Sequence, residues 1–211
     1  MTGRPLIGSL LDTDLLAEVD LRVADLLSRR CAVDDPLALD LVVLLVAAQR
    51  SGHACLDLRL VDDLRRSLLA GSGVDDGSPI PAAADLAAAL SASPAVSNTG
   101  EPSDDGLVRP LVLDGLRLHS QRSWTDEKSV SDRLRQLAAR RTTAVADLDQ
   151  RLGRLFTDQG PDDPQRRAAL SFVENGLTVV VGGPGTGKTY TIARALAAAL
   201  EPTHDGRIPR I

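Results

Sequence analysis

The stretch LTVVVGGPGTGKTYTIARALAAAL, Leu177 to Leu200, decides how the C-terminal part of this chain is read. Leu177 to Val181 is a short, β-branched apolar run, suited to a strand buried on both faces. It leads into Gly182-x4-Gly187-Lys188-Thr189, the spacing of a phosphate-binding loop. Glycines let the backbone curl into a nest whose N–H groups point at anion oxygens. Ile192, Leu196 and Leu200 follow at helical spacing. They are expected to form the helix's apolar face, and its positive N-terminal end would point at the same anion. Gly182, Gly183, Pro184, Gly185, Thr186, Gly187, Lys188, Thr189 and the adjoining Tyr190 are therefore the expected nucleotide-binding residues. Lys188 is the expected catalytic group, reaching the β- and γ-phosphates of ATP, and the Thr189 hydroxyl is the expected Mg²⁺ ligand. A ligand-free glycine turn is the plainer reading. A strand before the loop and a helix after it favour the phosphate cradle.

Just upstream lies GPDDPQRRAALSFVENG, residues 160–176. Asp163 can cap a helix, Pro164 can occupy its first turn, and Asn175-Gly176 can end it. Gln165 sits in that first turn. Its carboxamide offers a donor and an acceptor, the pair needed to read adenine N6 and N7. Alone it would be an ordinary exposed polar residue; the loop downstream shifts the balance towards adenine.

Further back the pattern is helical. Leu15, Leu16, Val19, Val23, Leu26 and Leu27 recur with helical period between Asp12 and Arg30. Asp35-Pro36 opens a second helix, apolar on most sides, which Ser51-Gly52 stops near Arg50. Val61 to Gly71 reads as a short helix, and another lies near Ala82 to Leu90 between loops rich in Gly, Ser, Pro and Asp. His53 is expected to cap or pack, because no second ligand accompanies it at metal spacing. Leu111–Leu113 and Leu116–Leu118 flank Asp114-Gly115, the signal of a β-hairpin. A long helical stretch follows, from about Thr125 to Phe156, with its apolar stripe starting at Val130, Leu134 and Leu137 and a break at Thr142-Thr143. Trp124 is expected to pack between hairpin and helix.

Composition bounds the rest. The chain has 211 residues, 43% hydrophobic and 2% aromatic, so its core must be built from Leu, Val and Ala. A formal net charge of −5 argues against a broad nucleic-acid surface, though a local arginine-lined groove would fit. Only Lys128 and Lys188 are lysines, and one of them sits in the glycine loop. Cys31 and Cys55 have no metal-binding spacing and read as small buried thiols in a reducing compartment. Leu37 to Ala48 is far short of the ~18 residues of a membrane span and includes Asp40. The N-terminus has no uninterrupted apolar core of a signal peptide, so a cytoplasmic address and no membrane partner are expected.

DPQRRAALSFVENGLTVVVGGPGTGKTYT, Asp163 to Thr191, resembles the glutamine motif and first motif of superfamily 1 helicases, and GGPGTGKT is close in form to that of the RecD family, the alpha subunits of bacterial exonuclease V. SGHACLDL, residues 51–58, is similar to that family's Gly-His-x-Cys-Leu segment. PLVLDGLRLHSQRSWTDEKSVSDRLRQL, residues 110–137, is similar to its hairpin and following Arg-x-Trp-x-x-Glu element. Arg122, Trp124 and Glu127 match, and His119 stands where a tyrosine is usual. The resemblance implies a mainly α N-terminal domain with a β-hairpin over 1–157, then the truncated start of an α/β RecA-like domain over 158–211. It implies ATP and Mg²⁺ as cofactors, a five-prime-to-three-prime DNA helicase activity, and RecB-like and RecC-like partners. Gln165 would recognise adenine, Gly182 to Thr189 would hold phosphates, and Lys188 would stabilise charge.

The acidic Mg²⁺-binding motif and later helicase motifs of the family do not occur in this sequence. The expectation is a fragment that holds part of an ATP site and does not turn over. With its strand edges open, it would bind ATP weakly or not at all and tend to aggregate. Two other readings stand beside it. One is a protein-interaction module docking on a RecC-like partner, its P-loop a passenger. The other is a small P-loop kinase, which would need an acceptor site and a lid after the loop helix.

Overall fold

The computed structural model describes residues 4–11, 13, 15–70, 72–74, 79–98, 100, 106–140, 147–157, 160 and 162–200. It divides into two compact units, Met1–Lys128 and Ser129–Ile211. Among the described residues the chain is mostly helical, with one small four-stranded sheet in the first unit. The expected domain boundary after residue 157 and this packing boundary at 128/129 fall at different places.

In the first unit, α1 (Gly8–Leu11) and α2 (Glu18–Cys31) precede α3 (Pro36–Arg50). The Asp35 side chain caps α3 by accepting the Leu37 N–H at 3.0 Å, with Pro36 in the first turn. At the other end Gly52 takes a left-handed φ of +91°. The N–H groups of Gly52 and His53 bond back to Gln49 and Ala48 at 3.0 Å each, the paired bonds of a Schellman stop. The expected stop at Ser51-Gly52 is thus present, and His53 contributes through its backbone while lying exposed. The α3 segment is apolar on most sides because it is buried on most sides: Leu41, Val42, Val43, Leu44 and Leu45 form the centre of the core.

The periodicity read for Asp12 to Arg30 is only partly matched. The helix starts at Glu18, where the Asp20 carboxylate accepts the Ala17 N–H at 2.8 Å. Its buried residues are Asp20, Ala24 and Leu27, while Val19 and Leu26 are exposed. Arg50 of α3 explains the buried carboxylate: its guanidinium donates twice to Asp20, at 2.8 and 2.7 Å. A second buried carboxylate, Asp40, accepts from Arg4 and from the Leu6 N–H at 2.9 Å. Both acids serve packing.

The sheet has order β1-β4-β3-β2: β1 (Leu56–Asp57), β2 (Val96–Ser97), β3 (Leu111–Asp114) and β4 (Arg117–Ser120). β3 and β4 form the expected hairpin, with Leu113 opposite Leu118 and Asp114 opposite Arg117. The two-residue loop is therefore Gly115-Leu116, one position later than the sequence signal. Gly115 supplies the positive φ, +59°, that the first loop position demands. β1 joins antiparallel to β4, and β2 joins parallel to β3. Leu58–Leu60 forms a short 3₁₀ turn into α4 (Val61–Leu69), and α5 (Ala83–Ser91) places Leu86 and Leu90 in the core. Gln49 of α3 donates to the hydroxyls of Ser120 and Ser123, at 3.1 and 3.0 Å, fixing the end of β4.

α6 (Gln121–Ala139) follows the hairpin without a gap, so Trp124 lies in its first turn. Gly100 gives the indole its seat: a Cβ there would stand 2.5 Å from the Trp124 ring. Val130 and Leu134, read as the start of a buried stripe, are exposed, and α6 buries no residue fully. The expected break at Thr142-Thr143 lies outside the described residues.

The second unit is built on α7 (Leu148–Leu155), α8 (Pro164–Glu174) and α9 (Lys188–Leu200). Leu148, Leu152, Phe156, Ala169, Val173, Ala195, Ala198 and Ala199 make its core. Two expectations are corrected here. Leu177 to Val181 is not a strand, because no other described segment of the unit pairs with it, and Val179 and Val181 are 76% and 88% exposed. In α9 the buried residues are Thr191, Ala195, Ala198 and Ala199, while Ile192, Leu196 and Leu200 face outward. The small residues of α9 are the ones packed into the core with α7 and α8. The expected strand approach at Pro209 to Ile211 lies outside the described residues.

Candidate functional site

The glycine loop connects the end of α8 to the start of α9. Asp163 caps α8 as expected, its carboxylate accepting the N–H groups of Gln165 and Arg166 at 2.8 and 3.2 Å. Asn175 ends the helix, its N–H bonding to Ser171 at 3.1 Å. Leu177 to Val181 then has no regular secondary structure and leads into the glycine curl.

Gly185 and Gly187 carry left-handed φ values of +76° and +77°, which side-chain-bearing residues rarely adopt. Gly182 is required for a different reason: a Cβ there would lie 2.6 Å from the Thr186 hydroxyl. That hydroxyl donates to the Gly183 carbonyl at 3.0 Å and closes the loop on itself. Lys188, first residue of α9, folds back so that Nζ donates to the carbonyls of Gly182 and Gly183 at 2.6 Å each. A cationic amine is thereby held over the mouth of the curl, beside the N-terminal end of α9. Gly183 and Pro184 are exposed on the loop, and Thr189 is exposed in the first turn of α9.

Gln165 is brought to this loop from the first turn of α8. Its Nε2 donates to the Thr186 carbonyl at 3.1 Å, and Gly187 lies against the carboxamide. Gln165 and the glycine loop, each singled out in the sequence, are thus brought together in space. Tyr190 sits differently. The Arg194 guanidinium stacks 3.2 Å from its ring centroid, and Phe156 meets it edge-on at 6.3 Å. Arg194 Nε also donates to the Leu155 carbonyl at 2.5 Å, so this cluster ties α9 to the end of α7. Periodicity did not reveal this tie to α7, because the carbonyl that Arg194 reaches lies 39 residues upstream.

The residues fit a nucleotide phosphate chain chemically. They supply a glycine curl that a side chain at Gly182, Gly185 or Gly187 would strain, a helix N-terminus, an amine and an adjacent hydroxyl at Thr189. Among the described residues no group of three or more His, Cys, Asp or Glu could hold a metal ion by itself. Among those residues, too, no helix is long and apolar enough to cross a membrane.

Comparison with known proteins gives the lineage. Residues 12–119 match the family described as RecBCD enzyme subunit RecD, N-terminal domain. The chain is similar to RecBCD enzyme subunit RecD of Mycobacterium tuberculosis H37Rv, at 38% identity over 192 residues, covering 90% of this chain and 30% of that protein. It is 36% identical over 189 residues to the same subunit of Mycolicibacterium smegmatis, covering 89% and 30%. With that of Haemophilus influenzae it shares 30% identity over 98 residues, 44% and 15% of the two chains. The chain spans about 30% of the length of the mycobacterial relatives. On the match over residues 12–119, which takes in α2 through the β3–β4 hairpin, the chain belongs to the RecD family.

Proposed function

We propose that this chain is the N-terminal part of a RecD-type helicase subunit and carries the first half of its ATP site. The observation behind this reading is the junction of Gln165, the glycine curl and Lys188 at the N-terminus of α9. In that role Gly182 to Thr189 hold the phosphates, Lys188 stabilises the charge that develops on them, and Thr189 ligates Mg²⁺. Gln165 reads adenine. Residues 158–211 are the start of a RecA-like domain, and a sheet would cover the outward apolar residues Val179 and Val181. The complete subunit would drive five-prime-to-three-prime DNA unwinding with RecB-like and RecC-like partners, in double-strand break repair. The N-terminal helical domain, residues 1–157, would dock on the RecC-like partner.

The test is an amide-shift titration of the 211-residue chain with Mg·ATP. Affinity should be weak, in the millimolar range of about −4 kcal/mol. Shifts should gather at Gln165 and Gly182–Thr189 and vanish in Lys188→Ala. A chain that shows no such shifts, or shifts that survive Lys188→Ala, refutes the nucleotide reading.

A further inference from the structure

We infer that Gln165 positions the phosphate loop itself, whatever base the nucleotide carries; this rests on the nucleotide reading above. The Gln165 backbone is set by the Asp163 cap, which accepts its N–H at 2.8 Å, and by Pro164 before it. From there Nε2 reaches the Thr186 carbonyl at 3.1 Å. No peptide bond among the described residues is cis. In a trans peptide the C=O and the following N–H point in opposite directions. Holding the Thr186 carbonyl towards α8 therefore turns the Gly187 N–H to the other side of the peptide plane. That N–H is one of the donors a phosphate nest relies on.

Gly187 completes the arrangement. A Cβ at that position would stand 2.7 Å from Gln165 Nε2, so the glycine that adopts φ +77° also leaves room for the carboxamide. Several bonds of the Gly182–Gly187 curl join it to itself or to α9: Thr186 to Gly183, Lys188 to Gly182 and Gly183, and the Thr191 N–H to the Gly187 carbonyl at 2.9 Å. The Gln165 bond instead refers the loop's apex to α8. A primary amide carries two N–H groups and one carbonyl, so bracing Thr186 with one N–H leaves the chemistry for reading a base intact. Gln165 is then a positioning residue as well as a base reader.

The two tasks separate with a ligand that has no base. Binding of Mg·tripolyphosphate, Mg·ATP and Mg·ITP would be measured on the 211-residue chain and on Gln165→Leu and Gln165→Ala. Loss of the brace should weaken tripolyphosphate by about five-fold in both variants, the scale of one hydrogen bond, and erase any preference for ATP over ITP. Unchanged α8 amide shifts would show that the helix is intact. If wild type and variants bind tripolyphosphate equally, the brace is refuted and Gln165 only reads the base. If the wild-type chain binds none of the three ligands, the nucleotide reading fails. The ligand-free ¹³C shift of the Thr186 carbonyl, the brace's acceptor, then decides it: a change in Gln165→Leu supports the brace, and an unchanged shift overturns it.

Discussion

α3 in the first unit and α9 in the second are both alanine- and leucine-rich helices, yet they bury opposite parts of their composition. α3 turns its leucines and valines inward on nearly every side, and Leu6, Ile7, Leu10, Leu86 and Leu90 are fully buried in the core around it. α9 buries alanines and a threonine and leaves Ile192, Leu196 and Leu200 outward. Burial of apolar area stabilises by about 25 cal/mol per Å², so large side chains left outside contribute little. The first unit is thus closed by its own residues. The second has a formed loop with a core of few large side chains.

The chain reports on the two units separately. Its one tryptophan, Trp124, lies in the first unit, and its one tyrosine, Tyr190, in the second. The largest effect should come from Leu44→Ala, at the fully buried centre of α3. We expect a loss of about 3–4 kcal/mol in urea unfolding followed by Trp124, with the Tyr190 transition unmoved. Leu152→Ala should do the reverse, lowering the Tyr190 transition by about 2–3 kcal/mol, because fewer large neighbours surround the cavity. Parallel shifts of both signals in either variant would break the division into two independently packed units.

A smaller effect is expected from Asp163→Ala. Removing the cap of α8 should cost the second unit about 1 kcal/mol and leave the first unit unchanged.

The smallest effect is a pH dependence confined to the first unit. His119 is buried on β4, with Glu127 Oε2 3.9 Å from Nδ1. Burial pushes its pKa below the usual 6.5, partly offset by the Glu127 and Asp114 carboxylates. The unfolded chain then binds this proton more readily than the folded one. The contribution is complete above about pH 6.5 and is lost as pH falls from there towards the folded value. The Trp124 urea midpoint should therefore drop on going from neutral to mildly acidic pH, and His119→Phe should flatten that drop. An identical pH profile in the variant would remove His119 as its source.

How much was legible in the sequence followed the range of the interactions. Asp163-Pro164, Asp35-Pro36, Ser51-Gly52 and the hairpin were readable because caps and turns are local bonds. β1 and β2 were not, since two-residue strands have no period to detect and exist only through partners in β4 and β3. The orientation of α9 was misread because its leucine and isoleucine stripe marks a surface that α7 and α8 do not cover. The same cause left Leu177–Val181 without the ladder its composition suits. The Gln165–Thr186 bond spans 21 residues and was legible only as a residue type suited to adenine. The buried Asp20 and Asp40 gave no signal, because their arginine partners lie 30 and 36 residues away.

Hydrogen exchange on the whole chain, with and without Mg·ATP, tests the central claim most directly. The account predicts that α3 and the β3–β4 hairpin exchange slowly in both conditions. Gly182–Thr191 should exchange fast without ligand and slow down with Mg·ATP, and Lys188→Ala should abolish that slowing. A loop whose exchange ignores Mg·ATP in the wild-type chain, or slows equally in Lys188→Ala, would contradict it.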